Sequence, residues 1–128
     1  MANQNSTGAA TFKITRNGAA QWEFTAEGVL VDYQSFIANG PEQGRKTSFS
    51  IVYPESVQKD GTYNFKYDKS NAGYLTYLRD GTPYDVFGTV KVVTSKDGDR
   101  QDVEVDGTFE IDSRTFSIKG TGYNEFKL

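Results

Sequence analysis

Apolar and polar residues alternate along much of the chain, most clearly between residues 85 and 112. Two runs, Val86–Val93 and Val103–Ile111, place apolar side chains at every second position, with Asp97-Gly98 between them. A period of two marks a strand with one buried face, and Asp-Gly between two such runs favours a two-residue hairpin turn with positive φ. Centring the turn there sets Lys96 opposite Asp99, Val92 opposite Val103, Lys91 opposite Glu104, Val90 opposite Val105 and Gly88 opposite Gly107. Apolar meets apolar on one face and opposite charges meet on the other, which specifies the register.

The same alternation recurs through the rest of the chain. Phe12 and Ile14 share a face, as do Trp22 and Phe24 after the Asn17-Gly18 turn. A two-residue turn would pair Ile14 with Gln21, so a three-residue loop with a left-handed glycine is expected, pairing Ile14 with Trp22 and Phe12 with Phe24. Further runs follow at Val29–Tyr33, Thr47–Tyr53, Gly61–Tyr67, Tyr74–Leu78, Thr115–Lys119 and Gly122–Leu128. Gln34–Ala38 reads as strand or a short helical turn, and Asn39–Lys46 as the longest loop. Met1–Ala10, small and polar, reads as a flexible tail ahead of one domain over residues 11–128.

If Phe116 and Ile118 point inward, Ile111 faces Phe116, Phe109 faces Ile118 and Gly107 faces Gly120. Gly88, Gly107 and Gly120 then form a row across three strands, and aligned inward glycines give a sheet the curvature that closure needs. The expected fold is all-β: an antiparallel meander of about eight to ten short strands, closed into a lipocalin-like or calycin-like barrel or a barrel-like two-sheet sandwich. The C-terminal stretch DGTFEIDSRTFSIKGTGYNEFKL resembles the closing hairpins of small bacterial β-barrel domains. The Gly-x-Trp signature of lipocalins is absent, because Ala20 and Gln21 precede Trp22.

Composition narrows the chemistry. The chain of 128 residues has nine Phe, eight Tyr, thirteen Gly and neither Cys nor His. Thiolate nucleophiles, disulfides, Ser-His-Asp triads and His- or Cys-ligated metals are therefore excluded by inventory. No cofactor is indicated. The net charge of −3 and the lack of a basic cluster beyond Arg45-Lys46 argue against nucleic acid, and no run is long enough to span a membrane. The N-terminus lacks the pattern of a signal peptide, so the chain as written reads as cytoplasmic, or as secreted if a leader has been removed.

Asp102, Glu104, Asp106, Glu110 and Asp112 line one outward face. Same-face neighbours on a strand stand about 6–7 Å apart, too far for one ion to gather several, so a solvated acidic wall is expected. Asp97-Gly98-Asp99 lacks the remaining ligands of a calcium loop. The densest aromatic stretch, Tyr63–Phe87, supplies the candidate ligand-binding residues Tyr63, Tyr67, Tyr74, Tyr77 and Tyr84, with Trp22 added from the first hairpin. Tyr74 and Tyr77 must face opposite sides, and Tyr84 should sit near a rim. These residues suit a small apolar ligand or a carbohydrate, because tyrosine combines an apolar face with a polar tip. The expected function is a non-enzymatic binding module. The alternatives are a structural or protein-interaction component that oligomerises and, more weakly, a carboxylate-dependent hydrolase.

Overall fold

The computed structural model describes residues 5–26, 28–40, 47–69 and 72–127, which form ten strands and no helix. The strands are β1 (Asn5–Arg16), β2 (Ala19–Ala26), β3 (Gly28–Asp32), β4 (Ser35–Asn39), β5 (Ser48–Val52), β6 (Gly61–Tyr67), β7 (Tyr74–Arg79), β8 (Thr82–Ser95), β9 (Arg100–Ile111) and β10 (Arg114–Lys127). Every pairing is antiparallel, and the sheet runs β2-β1-β10-β9-β8-β7-β5-β4-β3. Its end strands, β2 and β3, are consecutive in the chain, so the sheet curls until it nearly closes. The fold is an all-β, barrel-like antiparallel sheet. It departs from a plain meander at one point: β6 leaves the path and pairs with β8 alongside β7.

The hairpin formed by β8 and β9 keeps the expected register, with Val92–Val103, Lys91–Glu104, Val90–Val105 and Gly88–Gly107 all paired. Lys96, Asp97 and Gly98 have positive φ, and Asp99 N–H closes the tip on Lys96 O at 3.1 Å. That bond encloses Asp97-Gly98 as the two-residue turn expected, and the ladder itself ends one pair earlier, at Ser95–Arg100. Asp60 anchors the turn from outside the hairpin, accepting hydrogen bonds from Asp97 N (3.1 Å) and Gly98 N (2.9 Å).

Four expectations are corrected. Phe12–Phe24 and Ile14–Trp22 pair as anticipated, but through a two-residue Asn17-Gly18 turn and a bulge after Ile14 that absorbs the phase change. Between β9 and β10, Asp112 and Ser113 make a tight two-residue turn at φ 52° and 65°. Phe109 therefore faces Phe116, Ile118 faces Gly107 and Gly120 faces Val105, so Gly120 stands two positions away from the Gly88–Gly107 pair. The inward face is preserved because the slip is even. Residues 5–10 are strand rather than tail, pairing with β10 from Asn5–Lys127 to Ala10–Gly122. Main-chain ladder bonds suffice to recruit small polar residues beside a strand already held on its other side. Lastly, the strands β1, β8, β9 and β10 are long rather than short.

Inward side chains fill the interior. Phe12, Phe36, Phe49, Ile51, Val57 and Ile118 are fully buried. Phe12 stacks between Phe24 (5.0 Å between centroids) and Phe49 (4.7 Å), joining opposite walls. A polar chain crosses one end: Tyr53 OH donates to Gln101 Oε1 at 2.9 Å, and Gln101 Nε2 donates to Asp32 O at 3.0 Å. Burial is the main reason that the Tyr53 phenol is held far above its ordinary pKa, which keeps it a neutral donor.

On the outer face, Glu104, Asp106 and Glu110 are exposed, with Lys91 opposite Glu104 and Lys119 opposite Asp106. Glu110 faces Thr115 rather than a lysine. Asp102 accepts from Nε and Nη2 of the Arg100 guanidinium, each at 2.9 Å, and Glu125 accepts from Nη1 at 2.9 Å. These two acids, Asp102 foremost, raise the Arg100 pKa. Among the described residues no three carboxylates converge as a metal site would require.

Candidate functional site

With the interior occupied, a ligand must be sought on the surface. The six aromatic candidates divide into three groups. Trp22, Tyr77 and Tyr84 come together near Phe109 and Phe116: Trp22 Nε1 donates to Tyr77 OH at 2.8 Å, and Tyr84 lies 5.7 Å from the Phe109 ring. Tyr77 is buried within this cluster, which pushes its pKa up, and the guanidinium of Arg79 covers Trp22 at 3.9 Å. These residues pack against one another and serve the core.

Tyr63 stands apart, half-buried, with its hydroxyl bonded to Lys59 O at 2.6 Å. Tyr67 and Tyr74 border the same cleft. Tyr67 is buried, which raises its pKa, and it donates to Val52 O at 3.1 Å. Tyr74 is 57% exposed, on the face of β7 opposite to Tyr77 as alternation requires.

This cleft follows from the way β8 changes partners. Its first half pairs with β7 up to Val86–Leu75, and its second half pairs with β6 from Gly88–Tyr67 onward. Phe87 lies at the changeover, paired with Thr108 of β9 on the other side. The β7–β8 ladder stops at Val86–Leu75, and Tyr74 and Phe87, the next residue on each strand, both line the cleft that opens there. Two large apolar side chains thus share an outward face where polar residues are the rule. Around them the chains of β6 and β7 part, opening a depression of about 330 Å³. Asp68, Lys69 and Asp85 contribute charged side chains to its lining.

Sequence reasoning did not single out Phe87, Asp68, Lys69 or Asp85. One signal was available for Phe87: it is a bulky apolar residue out of phase with Val86, Val90 and Val92. Arg45 and Lys46, considered as a cationic pair, lie outside the described residues, as does most of the Asn39–Lys46 loop.

A second, larger groove of about 980 Å³ crosses the outer face of β6, β8, β9, β10 and β1. It presents Lys13, Lys66, Lys91 and Lys119 around Glu104 and Asp106, and the one aromatic residue in its lining, among those described, is the buried Phe65. Lysines and carboxylates face each other there in the β-sheet register, which describes a solvated wall.

No known protein family, curated protein or solved structure shows significant similarity to this chain.

Proposed function

We propose that the protein is a non-enzymatic binding module, and that its site is the cleft at Tyr74 and Phe87. The observation that carries this reading is one cleft lined by a 57% exposed tyrosine, a half-buried phenylalanine and the charged side chains of Asp68, Lys69 and Asp85. Aromatic faces stack on the apolar side of a sugar ring, while carboxylates and an ammonium meet its hydroxyls. The cleft lies at the lower end of small-molecule sites, which span roughly 300–1,000 Å³. A carbohydrate of one or two rings fits this chemistry better than a wholly apolar ligand, because its hydroxyls bond charged side chains that an apolar ligand would only desolvate.

Titration calorimetry against a panel of mono- and disaccharides, with a fatty acid as the apolar control, tests the reading. Saturable binding of a sugar that falls by about tenfold or more in Tyr74→Ala supports it. No binding across the panel, or sugar binding indifferent to Tyr74→Ala, overturns it.

A further inference from the structure

The outer side of β3 is covered at its Val29 end, which packs on Gly8 of β1. Asn124 and Gln101 bond the Val29 and Asp32 carbonyls from across the seam, so β3 is an open edge only around Val31. Among the described residues its only ladder partner is β4, and Gly28–Asp32 holds three successive apolar residues with no lysine, proline or bulge. Natural edges carry such features because an open row of N–H and C=O groups templates another strand. Leu30 (64% exposed) and Tyr33 (38%) are two of the three exposed large hydrophobic residues among those described, and both belong to this strand or the turn after it.

The geometry of the seam shows which groups are open. Asn124 Nδ2 reaches Val29 O at 3.4 Å, so the Val29 carbonyl points away from β4. Val31, two residues on, turns its own N–H and C=O to that same side. Beside it lies a depression of about 410 Å³ with an apolar floor that includes Val29, Val31 and Phe126. The charged residues lining it, among those described, are Asp32 and Asp99.

We propose that this edge docks an extended, basic segment of a partner protein, which adds a strand to β3 and sets alternate apolar side chains into the groove. The acidic rim selects the charge of the segment. A second copy of the chain fits less well, because each copy carries a net charge of −3 and the same acidic rim, so pairing brings like charges together.

The probe is a labelled synthetic peptide of alternating valine and threonine flanked by lysines, followed by fluorescence anisotropy. Saturable binding is expected, weaker by about tenfold when glutamates replace the lysines, and by about tenfold in Val31→Pro. Proline at that position removes an edge donor without breaking a bond to β4. Absent binding, equal binding of the acidic peptide, or an indifferent Val31→Pro overturns the proposal. Should circular dichroism show that Val31→Pro does not fold, Leu30→Lys replaces it: weakened peptide binding supports the proposal and unchanged binding overturns it. A concentration-dependent dimer in sedimentation that these variants abolish assigns the edge to a second copy and likewise overturns it.

Discussion

The ring of Phe12 occupies the space in which Gly120, its cross-strand neighbour on β10, would carry a side chain. Phe12 is fully buried and held between the rings of Phe24 and Phe49, so it has no free direction in which to yield. Gly120→Ala is therefore expected to overpack the interior and destabilise the fold by about 1–3 kcal/mol. Urea denaturation checks the value. Combining Gly120→Ala with Phe12→Leu should recover part of the loss, and a double-mutant cycle should show a coupling of roughly 0.5–3 kcal/mol.

Gly88 and Gly107 face each other across β8 and β9, and here the obstacle is backbone. A Cβ at Gly88 would strike Asp106 O and the Gly107 Cα, neither of which can move without displacing β9. Gly88→Ala is expected to cost more than Gly120→Ala, because a ring can tilt whereas a ladder must separate. Paired urea titrations of the two variants settle the order; equal or reversed losses would show that the strands have slack at this crossing.

That pair was legible in the sequence, and Gly120 was not, for one physical reason. From Gly88 to Val105 a slip of one residue turns the valines outward, and a slip of two parts Lys91 from Glu104. Between β9 and β10 a slip of two keeps every apolar residue on its face, and no charge pair penalises it strongly. Asp112-Ser113 also announces a tight turn less clearly than Asp-Gly does. The strand character of residues 5–10 escaped because it comes from β10 and not from their own alternation. The candidate cleft was only half visible. Tyr74 stood out by its type, but Phe87 joins it in the cleft through the exchange of β7 for β6 along β8, a non-local pairing that no local pattern encodes.

Trp22 is the only tryptophan, which makes it a private reporter on one end of the barrel. Its indole N–H donates to Tyr77 OH, and Arg79 lies over its ring. Tyr77→Phe removes the acceptor and is expected to lower stability by about 0.5–1.5 kcal/mol and to shift the emission maximum. Arg79→Ala should change the emission with a smaller effect on stability, on the order of 0.5–1 kcal/mol for a cation over an accessible ring. Fluorescence-monitored unfolding reads both quantities in one experiment. Unchanged emission in both variants would mean that Trp22 is held by packing alone.

The buried phenol of Tyr53 links stability to alkaline pH. Its pKa in the folded protein is raised, first by burial and then by Tyr67 and Asp32, while in the unfolded chain it titrates near the ordinary value of about 10. Below that value both states keep the proton and the stability is fully present. Above it the unfolded chain releases a proton that the folded protein retains, so stability falls as pH rises. Tyr67 and Tyr77, raised mainly by burial, act in the same direction. Chemical denaturation between pH 7 and 11 should show a plateau and then a decline beginning near pH 10. Tyr53→Phe should make the decline shallower. At neutral pH the same variant leaves Gln101 Oε1 without its donor and should cost about 1–3 kcal/mol, because that oxygen is buried where water cannot readily replace the phenol. A Tyr53→Phe protein with the parental alkaline slope would exclude this phenol as a source of the pH dependence.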